Sequence, residues 1–308
     1  MQSTTTTVTA SDGTALHTHR WLPEGPPKAV VQVAHGMAEH SARYARLAEA
    51  LTAAGYAVYA NDHRGHGGTA NEADHGYFAD HDGWDTVVAD LRGVTDFARE
   101  EHPGVPVFLL GASMGSFISR AYAIENSRDL AGLVLVGTSG DPGLLGRAGL
   151  VVARAEALVR GRRHVAPLLD SLSFGKFNAA FKPNRTDFDW LSRDEAEVDK
   201  YVADPLCGKT FTAGFFVDMV GGLLAVNDKR QVARVRRDLP VLILSGYRCQ
   251  VGAEGQGPRE VEEQYHAAGV TDVSCTIYPD ARHELFNETN RDEVTADVVA
   301  WLDAHLPA

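Results

Sequence analysis

The stretch Val107-Phe-Leu-Leu-Gly-Ala-Ser-Met-Gly-Ser-Phe-Ile-Ser-Arg-Ala-Tyr-Ala-Ile-Glu125 passes from an apolar strand, through Gly111-Ala112-Ser113-Met114-Gly115, into a helix-like run from Phe117 to Glu125. Strand, Gly-x-Ser-x-Gly turn and helix in that order form the context of a nucleophile elbow. The serine sits on a tight, strained turn, and side chains at 111 and 115 would crowd the neighbouring backbone. The helix that follows brings its N-terminal N–H groups and dipole close to any negative charge developing beside the serine.

On either side of this stretch, β-like runs alternate with helical ones. Thr4 to Thr9 and Leu16 to Trp21 read as an opening pair of strands, and Ala29-Val-Val-Gln-Val-Ala34 as a buried strand. Ala42 to Ala54 follows as a helix, with Tyr44, Leu47, Ala48 and Leu51 at helical spacing and Gly55 as its stop. Tyr56 to Ala60 and Leu133 to Val136 predict strands, and Gly83 to Glu101 a helix. Alternation lapses after Gly137 and resumes at Val241 to Leu244. It continues with a helix near Arg259 to Ala268, a strand near Asp272 to Tyr278 and a closing helix from Arg291 to His305. This pattern predicts an α/β fold with a mostly parallel sheet flanked by helices. The core is expected in two pieces, 1–138 and 228–308, with an inserted helical lid over 139–227. An insertion there falls over the strand C-termini, where open α/β sheets bind ligands.

The 308 residues are 44% hydrophobic and 23% charged, a globular composition. Twenty-nine basic against 41 acidic residues give a net charge of −12, which disfavours nucleic acid as a partner. No apolar run is long enough for a transmembrane helix, and no basic, then apolar leader opens the chain, so the cytoplasm is the default compartment. Cys207, Cys249 and Cys275 form no metal-ligand spacing and no disulfide framework, and neither metal nor cofactor is expected.

Two further clusters carry chemistry. His35-Gly-Met-Ala-Glu-His40 directly follows the strand 29–34. An oxyanion hole needs two convergent backbone N–H groups, and Met37 in this loop and Met114 after the serine are the candidates. The side chains of His35 and His40 read as hydrogen-bonded scaffolding. Tyr278-Pro-Asp-Ala-Arg-His283-Glu284 follows the last strand, where His283 can reach Ser113 as general base. Most other histidines are expected on the surface or in loops, and Asp62-His-Arg-Gly-His66 reads as a structural loop rather than a metal site.

His35 to Tyr44, Asn61-Asp-His-Arg-Gly-His-Gly67, Ala112-Ser-Met-Gly-Ser116 and Ala281-Arg-His-Glu284 together resemble the α/β-hydrolase superfamily, and more narrowly its monoacylglycerol lipase and lysophospholipase group. The resemblance spans nearly the whole chain. It implies a lid between the sixth and seventh strands and a serine, acid, histidine order of catalytic groups. The implied substrates are monoacylglycerols, lysophospholipids or other carboxylic esters. The chain departs from that pattern where the acid belongs. The family run resembling Ser-Gly-Asp-x-Asp-Pro-Val-Gly is here Ser245-Gly-Tyr-Arg-Cys-Gln-Val-Gly252, which puts Cys249 at the acid position. A thiol with an ordinary pKa near 8.5 is mostly neutral at pH 7 and supports an imidazolium poorly. Plain loss of the acid predicts slow hydrolysis, by roughly four orders of magnitude. Asp280, an ionised Cys249, or Glu254 are the possible substitutes. A biosynthetic acyltransferase or cyclase using the same Ser–His pair, or a non-catalytic ligand-binding relative, stays open.

The segment Asp141 to Arg163 joins several arginines to apolar residues. Such a helix can lean transiently on a membrane surface, although packing of its apolar side on the core is the plainer expectation. The apolar run Phe211 to Met219 is a candidate lining for an acyl pocket.

Overall fold

The computed structural model describes residues 1–307, and the side chains of all of these except 172–174. Eight strands form one sheet in the order β1-β2-β4-β3-β5-β6-β7-β8. They are β1 (Gln2–Thr9), β2 (Ala15–Leu22), β3 (Ala29–Ala34), β4 (Tyr56–Asn61), β5 (Val107–Ala112), β6 (Gly132–Val136), β7 (Val241–Gly246) and β8 (Val273–Tyr278). β1, β2 and β4 pair antiparallel, and from β4 to β8 every pairing is parallel.

The five strands β3 to β7 are buried along their whole length, as strands covered on both faces must be. Alternate residues feed two cores. Val30, Leu109, Leu133 and Ile243 face α2 (Gly83–Glu101), α3 (Met114–Asn126) and α9 (Gln256–Ala267). Val31, Phe108, Val134 and Leu244 face α1 (Ala45–Ala53) and α10 (Arg291–Ala304). Each large aliphatic side chain so buried contributes about 1.5–3 kcal/mol. Gln32 interrupts the apolar run of β3. Its amide donates to the Leu91 carbonyl at 2.8 Å and accepts from Thr95 at 2.5 Å, so the core polar group is satisfied.

The expected helix 42–54 begins as a 3₁₀ turn over Ser41–Tyr44 before α1, because Asp62 binds the Ser41 amide and hydroxyl and shapes that start. Between β6 and β7 lie α4 (Gly143–Arg160), α5 (Pro167–Phe174), α6 (Glu195–Ala203), α7 (Ala213–Val226) and the single turn α8 (Lys229–Val232). α7 packs on α3 and α2, and α4 packs on α7. Arg120 of α3 holds both ends of this segment. Its guanidinium donates to the Ser139 carbonyl, the Val226 carbonyl and the Asn227 side chain, each at 2.9 Å.

The plainer expectation for α4 fails. Of this helix only Leu150 and Ala153 are buried, while Leu144, Leu145, Leu158 and Val159 are each more than four-fifths exposed. The inward stripe of α4 meets α7 and a cavity rather than the sheet, which leaves the rest of its apolar residues uncovered. Among the described residues, no helix is long and apolar enough to cross a membrane.

Candidate active site

Ser113 stands between β5 and α3 with φ 52° and ψ −121°, a left-handed conformation that costs a non-glycine residue about 1–3 kcal/mol. The turn is held by the Ser113 amide donating to the Val136 carbonyl at 2.8 Å and the Ser116 amide and hydroxyl donating to the Ser113 carbonyl. A Cβ at Gly115 would lie 2.0 Å from the Ala34 carbonyl oxygen, so only glycine lets α3 approach β3 this closely. The loop after β3 also comes close: a methyl at Gly36 would stand 3.2 Å from the Ser113 Cβ. Glu39 shapes that loop, its carboxylate accepting from the Gly36 amide at 2.6 Å and from Tyr44 at 2.8 Å. The amides of Met37 and Met114 donate to no acceptor among the described residues, and both residues border the cavity beside Ser113.

His283 is buried and lines a cavity with Ser113. Its Nδ1 lies 3.1 Å from the Cys249 Sγ. The loops after β7 and β8 that carry these two residues are joined by the Arg248 amide, which donates to the Ala281 carbonyl at 3.0 Å. The Trp190 ring lies beside the imidazole, with centroids 5.0 Å apart. Burial acts to raise the Cys249 thiol pKa, but the imidazole against it and the amides of Gly252 and Val251 outweigh that and leave it below its ordinary value. Burial likewise pulls His283 down, while the Cys249 sulfur, Glu284 and Glu39 hold it above its ordinary value. The two shifts agree in direction with a thiolate–imidazolium pair.

Asp280 is exposed on the turn before His283, and Glu254 is exposed beyond Cys249. Neither hydrogen-bonds to His283, whose Nδ1 meets the thiol instead. The proposal of Asp280 as a substitute acid therefore finds no contact to support it. Most of the other histidines lie outside the core, as expected, and the four that are buried, His35, His40, His63 and His66, sit in the loops after β3 and β4. His35 accepts from the His63 amide at 2.9 Å through Nε2, which leaves Nδ1–H to donate to the Gly36 carbonyl at 2.7 Å. Asp62 is committed to Ser41 and to the Gly68 amide, and Arg64 bridges Asp12 and Asp90, so this loop is scaffolding. Among the described residues, the side chains close enough together to ligate a metal are His40, Asp204 and Cys207.

One group of site residues escaped sequence reasoning although its members lie inside the quoted motifs. Arg43 donates to both oxygens of Glu284, at 2.6 and 2.7 Å, and to Glu39 at 2.6 Å. Tyr201 closes over the guanidinium, its ring centroid 4.8 Å away. Burial raises Glu39 above the usual carboxylate range. Glu284 is held below that range despite burial, by Arg43 and Asn287. The four-residue spacing of Glu39 and Arg43 was the available signal, but Glu284 is 241 positions from Arg43 and gave none.

These polar side chains line a cavity of about 100 Å³ on one side of Ser113. A second cavity of about 580 Å³ also borders Ser113, bounded by Phe117, Val152, Phe216, Met219 and Leu223. Ser113 and Met37 border both. The arrangement offers a hydroxyl, an imidazole and two free amides at the meeting point of a small space with Glu39, Arg43 and Glu284 in its wall and a large apolar one.

Over residues 25–290 the chain matches the family described as serine aminopeptidase, S33. It is 31% identical over 290 residues to a monoacylglycerol lipase of Mycolicibacterium smegmatis, covering 93% of this chain and 92% of that one. It is 32% identical over 297 residues to the monoglyceride lipase of Homo sapiens, covering 94% and 85%. Among solved structures, a thermostable carboxyl esterase from Bacillus coagulans in complex with glycerol aligns over 100% of both chains, with a TM-score of 0.93 and 27% identity.

Proposed function

Because the chain belongs to the α/β-hydrolase family described as serine aminopeptidase, S33, and is a serine ester hydrolase of the monoacylglycerol lipase-like group, we propose that it cleaves monoacylglycerols through an acyl-enzyme on Ser113. The position of Ser113 at the junction of the two cavities carries this reading. A monoacylglycerol has a small polyol at one end, a long acyl chain at the other and its ester between them. The polyol fits the space lined by Glu39, Arg43 and Glu284, and the acyl chain fits the apolar one. That the similar Bacillus esterase is described in complex with glycerol supports the polar assignment.

His283 takes the Ser113 proton as the hydroxyl attacks the ester carbonyl. The amides of Met37 and Met114 receive the oxyanion of the tetrahedral intermediate, the step to which such donors contribute most. His283 then returns the proton to the departing glycerol oxygen. Water, activated by the same imidazole, releases the fatty acid. Cys249, as a thiolate, accepts from the Nδ1–H and stabilises the imidazolium at each transition state. In this role it replaces the usual carboxylate, and hydrolysis does not fall to the level expected of a lost acid. The segment 139–227 acts as a lid, closing both cavities against water. The uncovered apolar residues of α4, interspersed with Arg147, Arg154 and Arg160, touch the lipid surface from which substrate is drawn.

Initial rates of glycerol release from monoacylglycerols of graded chain length test the reading, with a short para-nitrophenyl ester as reference. Monoacylglycerols with chains long enough to fill the large cavity are expected to give the highest kcat/KM. Turnover of the short ester without release of glycerol from any monoacylglycerol contradicts it.

A further inference from the structure

Beside the polar cavity, three side chains from distant parts of the chain converge: His40 after the β3 loop, and Asp204 and Cys207 after α6. One ligand atom from each lies within 4.8 Å of the other two. We propose that His40, Asp204 and Cys207 form a Zn²⁺ site that fastens the segment 204–208 to the loop carrying Met37. A tetrahedral zinc ion takes thiolate sulfur at about 2.3 Å and imidazole nitrogen or carboxylate oxygen at about 2.0–2.2 Å, which sets its donors roughly 3.3–3.7 Å apart. The cluster therefore needs a closure of about 1 Å, within the reach of side-chain rotation.

The donors fit the ion. Thiolate, imidazole and carboxylate together suit zinc better than the all-oxygen cations. Two of the three are already aligned, since His40 Nε2 and Asp204 Oδ2 lie 3.0 Å apart. The second carboxylate oxygen of Asp204 accepts from the Leu206 amide at 2.9 Å, which orients the group as an outer partner orients a metal ligand. The Cys207 thiol is buried and forms no hydrogen bond with any described residue. Burial, with Glu39, Asp204 and Glu284 nearby, pushes this thiol up, and Arg43 only partly opposes them. It is a neutral thiol until a cation displaces its proton. Asp204 is partly exposed, which leaves a route for the ion and room for a water as fourth ligand.

The consequence for the site is mechanical. The Gly208 amide and the Tyr201 hydroxyl both donate to the Ala38 carbonyl, at 2.9 and 2.8 Å. Ala38 follows Met37 and has a φ of 59°. Zinc at the cluster replaces the His40–Asp204 contact by a stronger tie that also takes in Cys207, and so fixes the Met37 loop against the head-group side of the cavity.

The proposal is tested with the full-length protein by titrating Co²⁺ as a spectroscopic substitute for Zn²⁺. One Co²⁺ per chain is expected, with a near-ultraviolet thiolate-to-cobalt charge-transfer band that Zn²⁺ abolishes by competition. Calorimetry with Zn²⁺ in buffers of different ionisation enthalpy is expected to show release of about one proton from the thiol. Cys207→Ser removes the band, and Asp204→Asn, at a partly exposed position that folding tolerates, weakens Zn²⁺ binding at least tenfold. Cys249→Ser and Cys275→Ser retain both band and affinity. Absence of a charge-transfer band in the parent protein overturns the site, as does a band that survives Cys207→Ser or Zn²⁺ binding unaffected by Asp204→Asn.

Discussion

Replacing Cys249 by alanine isolates the contribution of the sulfur to turnover. The Sγ is fully buried, 3.1 Å from the His283 Nδ1, and it also accepts from the Gly252 amide at 3.4 Å. Two opposite charges at that separation interact by about 5 kcal/mol at an effective dielectric of about 20. The donor left unsatisfied on the imidazole sets a lower bound of about 1–3 kcal/mol. At about 1.4 kcal/mol per tenfold, Cys249→Ala is therefore expected to lower kcat/KM for a para-nitrophenyl ester by about 10- to 10⁴-fold. The pH profile supplies a second readout. The thiolate holds His283 above its ordinary value, and the imidazole must be neutral to act as base. In the parent protein kcat/KM thus rises as pH passes upward through that raised value. Without the sulfur, only Glu284 and Glu39 oppose burial, and the acid limb moves to lower pH. Cys249→Asp keeps an anion in the same place and is expected to stay within about tenfold of the parent. A Cys249→Ala variant within threefold of the parent with an unmoved acid limb refutes the reasoning. So does a thousandfold gain in Cys249→Asp, which would mean that the thiol supplies nothing.

Arg43→Ala leaves Glu39 and Glu284 buried without their shared cation, and is expected to destabilise the protein by about 3–5 kcal/mol in urea titrations. Combining it with Glu284→Gln should recover part of that loss. Met219→Trp places an indole in the large cavity and is expected to shift the preferred acyl chain to shorter lengths, with little effect on an acetate ester. Burial lowers His66 from 6.5 to about 3, and His35 and His63 are also held well below their ordinary value by burial. The unfolded chain then binds more protons than the folded one between those limits, so stability is lost as pH falls below 6.5. His66 alone accounts for about 2 kcal/mol at pH 5, and His66→Phe is expected to flatten the slope of unfolding free energy against pH by about one proton between pH 6.5 and 5.

The sheet was legible because its strands are apolar runs bounded by glycine and polar turns, and β3 and α2 match their expected limits residue for residue. Ser113 was legible for a local reason, since an elbow needs its glycines within two residues of the serine. Cys249 could be placed only by counting along a motif, which says where a residue lies and nothing of its ionisation. The direction of its shift depends on the imidazole and two amides, which folding brings to it. The polar cavity was opaque because Arg43 and Glu284 meet across the sheet from opposite ends of the chain. The His40–Asp204–Cys207 cluster was hidden for the same reason, its first two members being 164 residues apart. The outward apolar residues of α4 misled because periodicity identifies an apolar face without saying what covers it.

The central claim is that Ser113 is a nucleophile driven by His283. Mass spectrometry of the protein after reaction with a fluorophosphonate reads it directly. The account predicts a single adduct, mapped by peptide sequencing to Ser113, absent in Ser113→Ala and formed at least a hundredfold more slowly in His283→Ala. A folded parent protein that takes up no adduct, or takes it at another residue, contradicts the claim.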